Sequence, residues 1–121
     1  METKKYTDLS YLKKIARGNQ EFTLKVINTY IAQTKSDINK IEQYLSVKNW
    51  DSIYFIAHKM KPSFQLLGIK ALQEIILNIE TFAKEKINLE RLPSLITQLV
   101  LIYEASKNEL KEEIQIFNVS I

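Results

Sequence analysis

The sequence predicts an all-α fold, an up-and-down antiparallel four-helix bundle with a short extra N-terminal helix. Three observations carry this. Only two glycines and two prolines occur in 121 residues, so turns are few and long helices are favoured. Apolar residues recur at steps of three and four through four long stretches, as in helices that bury one face. No stretch of useful length alternates with the period of two that a strand needs. At 45% hydrophobic residues the chain can build one core, and its length suits one domain. That domain is expected over residues 1–121, with its core at about 7–117.

The elements follow in order. The stretch "DLSYLKKIARG" predicts a first helix of two to three turns, with Asp8 as N-cap and Gly18 as C-cap. Asn19 is placed to cap a long second helix. Its seam reads Leu24, Ile27, Ile31, Thr34, Ile38, Ile41, Leu45, all but one apolar. "SVKNWDS" interrupts the pattern, and Trp50 is expected to plug the end of the core there. A third helix is expected from about Asp51 to Leu67, stopped by Gly68. The fourth carries Leu72, Ile75, Ile76, Ile79 and Phe82, and "AKEKINLER" is a polar connection. The fifth starts near Pro93, a residue tolerated in a first turn. It runs through Leu95, Ile96, Leu99, Ile102, Tyr103, Leu110 and Ile114 to about Phe117.

Composition excludes several functions. Cysteine is absent, which removes disulfides, thiolate metal sites and a cysteine nucleophile. The start "METKKYTDLS" has no apolar core of the kind a signal peptide needs. No apolar run approaches the roughly 20 residues of a membrane helix, so no direct membrane contact and a cytoplasmic location are expected. Net charge is +3, from 17 basic and 14 acidic residues. Charges of both signs interleave, as on solvated helix faces. A continuous Lys/Arg stripe with stacking aromatics, the mark of a small RNA-binding bundle, is missing.

The chemistry concentrates in "FIAHKMKPSFQLLG", residues 55–68, which holds the one histidine in the chain. On a helical wheel, Ile53, Ile56, Ala57, Met60, Phe64 and Leu67 lie opposite His58 and face the core. Lys61, Gln65 and Tyr54 share the outer face with His58, and Phe55 and Leu66 flank it. An imidazole is a good nucleophile near neutral pH, since its unperturbed pKa is about 6.5. Lys61 could neutralise a phosphoryl group on the ring, and Gln65 could orient it. One histidine cannot build a Ser/His/Asp triad or a two-histidine zinc site. No metal site or cofactor is expected, and a free-standing enzyme is not expected either. A group carrier that borrows its partner's machinery fits better. Pro62 removes the N–H that would bond the His58 carbonyl, so the helix is expected to bend there.

The order "AHKMKPSFQLLG" resembles the signature of the histidine phosphotransfer (HPt) domain, roughly A-H-x-x-K-G-S/A-x-x-x-L-G. Ala57, His58, Lys61, Ser63, Leu67 and Gly68 match it. The flanking helices look similar too, over most of residues 7 to 115. The departure is Pro62, where the family commonly has Gly. A small residue is favoured one turn beyond the histidine because bulk there would obstruct an approaching acceptor, and the compact proline ring suits that need.

The resemblance implies a monomeric phosphocarrier in a two-component phosphorelay. His58 would be the phosphoacceptor, supported by Lys61 and Gln65. Tyr54, Phe55, Lys59, Pro62 and Leu66 would form the docking rim. The implied partners are response-regulator receiver domains, which would bring Mg²⁺ and a lysine, and a hybrid sensor histidine kinase. Two other readings stand beside it: a non-catalytic helical adaptor that binds receivers without carrying phosphate, and the RNA-binding bundle disfavoured above.

Overall fold

The computed structural model describes residues 5–120, with side chains as far as Ile116. Residues 1–4 and 121 of the expected domain lie outside the described residues. The described chain is all-helical, with no strand. The elements are α1 (Ser10–Ala16), α2 (Gln20–Ser46), α3 (Trp50–Leu66), α4 (Lys70–Glu85), a 3-10 turn (Leu89–Arg91) and α5 (Leu92–Ser120). Helix α3 packs against α2 and α4, α5 packs against the same two helices, and α1 lies on α2. The second and fourth predicted helices match in kind, and the fourth also in its core residues. Asn19 caps α2 by accepting the Phe22 N–H at 3.0 Å. All five residues expected to face the core on α4 are buried.

The helix ends differ from expectation for local reasons. Leu9, not Asp8, holds the N-cap position of α1. Asp8 stands one residue earlier, where its carboxylate accepts from the Ser10 N–H at 3.0 Å and hydroxyl at 2.6 Å. Those bonds hold its carboxyl below the usual range. Arg17 closes α1 in the left-handed region at φ 51°, and Gly18 follows with φ 81°. Helix α3 starts at Trp50 because Asn49 caps it, accepting the Ser52 N–H at 3.2 Å. Trp50 is half-buried against the core as the first residue of a helix. Helical geometry continues through Pro62 to Leu66, so the missing N–H does not end the helix. Helix α5 continues past Phe117 to Ser120, and the Phe117 side chain lies outside those described.

The α2 seam is wider than the apolar spacing implies. Ile27, Thr34, Ile38 and Ile41 are buried, while Leu24, Ile31 and Leu45 are half-buried. Tyr30 takes the central space, edge-on to Phe64 at 6.1 Å and tilted against Tyr103 at 5.9 Å. The hydroxyls inside this aromatic cluster are satisfied, as buried polar groups must be. Those of Tyr30 and Ser106 share a bond of 2.8 Å, Ser106 donates to the Tyr103 carbonyl at 2.7 Å, and Tyr103 donates to the Ile31 carbonyl at 2.6 Å. Burial pushes the pKa of the Tyr30 hydroxyl up, which keeps it neutral.

The segment before α1 forms a strap across the closing end of α3. The Glu109 carboxylate, on α5, accepts the Tyr6 N–H at 2.8 Å, the Thr7 N–H at 2.9 Å and the Thr7 hydroxyl at 2.8 Å. One residue on, the Asp8 N–H bonds the Leu67 carbonyl at 3.0 Å. Gly68 sits under this strap at φ 62°. A Cβ there would fall 2.9 Å from the Asp8 Cβ and closer still to the Asp8 carbonyl oxygen. Position 68 therefore needs glycine twice, for its left-handed backbone and for the space. Among the described residues, no helix is long and apolar enough to cross a membrane.

Candidate functional site

The site grows from the outer face of α3. Asn49 starts that helix and the Leu67–Gly68 turn closes it, so its register is fixed at both ends. Ile53, Ile56, Ala57, Met60, Phe64 and Leu67 are buried, as the wheel requires. His58 then points away from the core with its side chain 63% exposed. Tyr54, one turn earlier, lies beside it with ring centroids 6.1 Å apart.

The neighbour that sequence reading missed is Glu80 on α4. Its Oε2 stands 3.4 Å from His58 Nδ1 and 3.2 Å from Lys61 Nζ, and its Oε1 accepts from Lys61 Nζ at 3.4 Å. The Glu80 side chain is only 13% exposed. Its buried Oε2 has no hydrogen-bond partner among the described residues; the two nitrogens are near it without bonding geometry. This is an ion cluster held loosely, with a carboxylate oxygen less satisfied than burial normally demands. A signal was available in the sequence. Glu80 directly follows Ile79 and precedes Phe82 and Ala83, so a charge sits at the edge of an otherwise apolar stripe.

The cluster bears on two residues of the expected site. Lys61 is engaged with Glu80 at rest and does not stand open to solvent awaiting an anion. Gln65 is exposed and lies one turn beyond Lys61. It lies seven positions beyond His58, roughly 10 Å along the helix axis. It lines a shallow cleft with Lys61, Gln73, Ile76 and Leu77. The carboxylate beside the imidazole is that of Glu80. Sequence reading compared positions on one helix, and this partner comes from another.

The remaining residues of the expected rim lie on α3 before and after His58. Phe55 is 70% exposed and borders a shallow cleft with Tyr44, Asp51 and Ser52. Leu66 and Ser63 line an apolar cleft of about 300 Å³ between α3 and α2, with Phe22, Val26 and Tyr30. Pro62 is exposed between these regions. Lys59 is tied back to α2, its Nζ 3.4 Å from Asp37 Oδ1. Asp37 is buried, and Gln33 also donates to it at 3.1 Å. Among the described residues, no group of three or more His, Cys, Asp or Glu side chains could hold a metal ion.

An exposed imidazole with a carboxylate at one nitrogen has its other nitrogen available as a nucleophile. Comparison with known proteins is consistent with this chemistry. Residues 25–115 match the family described as the Hpt domain. The crystal structure of histidine-containing phosphotransfer protein B (HptB) from Pseudomonas aeruginosa PAO1 superposes with a TM-score of 0.84. The match covers 93% of this chain and 97% of that one at 18% identity, a likeness that speaks for the fold. A search of curated protein sequences gave no match.

Proposed function

The chain belongs to the Hpt-domain family, and on that footing we propose that it is a histidine-containing phosphotransfer protein, relaying a phosphoryl group between receiver-domain aspartates in a two-component phosphorelay. The observation that carries this reading is the pairing of an exposed His58 with Glu80 at its Nδ1. Glu80 favours the tautomer with the proton on Nδ1, which leaves the Nε2 lone pair for attack. Nε2 attacks the phosphorus of an aspartyl phosphate, the phosphorus–oxygen bond breaks, and its electrons return to the aspartate carboxylate. The ring gains positive charge as the new bond forms, and the Glu80 carboxylate balances it. Transfer to a second aspartate reverses these steps.

Lys61 moves from Glu80 to the phosphoryl oxygens during transfer, and Gln65 supports the approaching partner one turn further on. Tyr54, Phe55, Lys59, Pro62 and Leu66 form the docking rim. The phosphoryl group moves in line between the two reacting atoms, and the divalent metal that assists such transfers belongs to the receiver. Helices α2–α5 form an up-and-down antiparallel bundle in a single, monomeric, cytoplasmic domain. A hybrid sensor histidine kinase supplies the phosphate upstream. The protein is a phosphocarrier intermediate and not a free-standing enzyme.

The test is incubation with a phosphorylated receiver. Wild type should take up acid-labile, base-stable label. The His58→Gln protein should keep its helical circular dichroism and take up none. Label persisting on His58→Gln would overturn the assignment. Receiver binding without label on wild type would establish the adaptor reading in its place.

A further inference from the structure

Four lysines lie on α3 and at the end of α4, and three are committed to carboxylates. Lys59 pairs with Asp37, Lys61 with Glu80, and Lys86 with Asp51 at 3.1 Å. Lys84 differs. It is exposed, and the partner recorded for it among the described residues is the face of the Tyr54 ring, 5.7 Å from Nζ to centroid. That ring also lies beside the His58 imidazole. Lys84 and His58 thus flank one aromatic side chain. Lys84 is also one turn beyond Glu80 on α4, an arrangement that favours an ion pair in an isolated helix. The Glu80 carboxylate is turned instead to Lys61 and His58.

We propose that Lys84 is the docking cation of this site: it meets the anionic, phosphorylated aspartate of the incoming receiver before Lys61 has left Glu80. This rests on the phosphocarrier reading above. An ammonium on an aromatic face at an exposed site is held by only about 0.5–1 kcal/mol, so its flexible stem can turn to a stronger anion. Cations that act on encounter accelerate association and lose that effect in salt. Lys61 and Glu80 touch the reacting group and act on the chemical step. Lys84 and Lys61 therefore divide the work between arrival and transfer.

The experiment uses a purified receiver domain phosphorylated with acetyl phosphate. Transfer to wild type, Lys84→Met and Lys84→Arg is measured over a range of protein concentration at low and high salt. Methionine keeps the apolar stem on Tyr54 and removes the charge. Lys84→Met should lower the second-order transfer constant about three- to tenfold at low salt. The saturated rate should hold, the deficit should shrink at high salt, and Lys84→Arg should restore the constant. An unchanged constant in Lys84→Met, or a deficit that persists at high salt and is not restored by arginine, would overturn the proposal. Titration calorimetry with the same receiver reads Lys84 without phosphate. If wild type binds but takes no label, the acceptor assignment fails while weaker binding of Lys84→Met still reports on docking.

Discussion

Two acidic side chains, Glu109 on α5 and Glu80 on α4, are bonded differently. In the N-terminal strap, Tyr6 and Thr7 give Glu109 hydrogen bonds from two backbone N–H groups and a hydroxyl, all at 2.8–2.9 Å in their shortest contacts. At the turn carrying His58, Glu80 is 13% exposed, yet its contacts run from 3.2 to 3.4 Å and one buried oxygen has no hydrogen bond. The first arrangement is a fastening. The second carboxylate is kept short of partners, so little is lost when one of them moves. A buried oxygen left unsatisfied costs stability, and the cost falls where the proposed chemistry needs Lys61 to leave.

Substitutions can break or sharpen this contrast, beginning with the largest effect. Glu109→Ala removes the acceptor for two backbone donors and the buried Thr7 hydroxyl. It should lower unfolding free energy by about 2–3 kcal/mol, read by urea denaturation, while the folded fraction transfers phosphate at the wild-type rate. Lys61→Ala acts at the other carboxylate. It should slow transfer about ten- to hundredfold, in line with the loss of one charge-assisted contact of about 1.5–3 kcal/mol, with receiver binding affected less. Unchanged transfer kinetics would mean that Lys61 serves only Glu80. Pro62→Leu restores a backbone N–H and should fold, but its side chain projects back over the His58 turn. Transfer should fall more than tenfold, and Pro62→Gly, which preserves the space, should stay within about tenfold of wild type. A folded Pro62→Leu protein that transfers at the wild-type rate would refute the access argument. The smallest effect is expected from Glu80→Gln on stability, a change within about 1 kcal/mol of zero, because a poorly bonded buried charge is replaced by a neutral amide. A loss as large as that of Glu109→Ala would erase the distinction between the two carboxylates.

What could be read from the sequence was whatever one helix determines about itself. Spacing on α4 named Leu72, Ile75, Ile76, Ile79 and Phe82, and all are buried. The wheel on α3 put His58 outside and six residues inside, which the structure bears out. Asn19 was readable as a cap because its partner is three residues away. Asn49 offers the same signal before Ser52 and was passed over in favour of the tryptophan beside it. Contacts between helices were not readable. Glu80 lies on α4, beyond the reach of wheel geometry confined to α3. The contact of Lys59 with Asp37 is another such case, because Asp37 is on α2. Gly68 was read as a helix stop, and its need for space under Asp8 depends on a strap about sixty residues earlier in the chain.

The strap also bears on the order in which the molecule assembles. Tyr6 and Glu109 are 103 positions apart. By contrast, α3 and α4 are joined by a short connection and can find each other early. Closing a long loop carries an entropic cost that grows with its length, and helical proteins gain speed from local contacts. The Glu109 fastening should therefore form late in folding and open early in unfolding. The turn carrying His58, whose Glu80 contact joins α3 to α4, should be in place before the chain is locked across its far end.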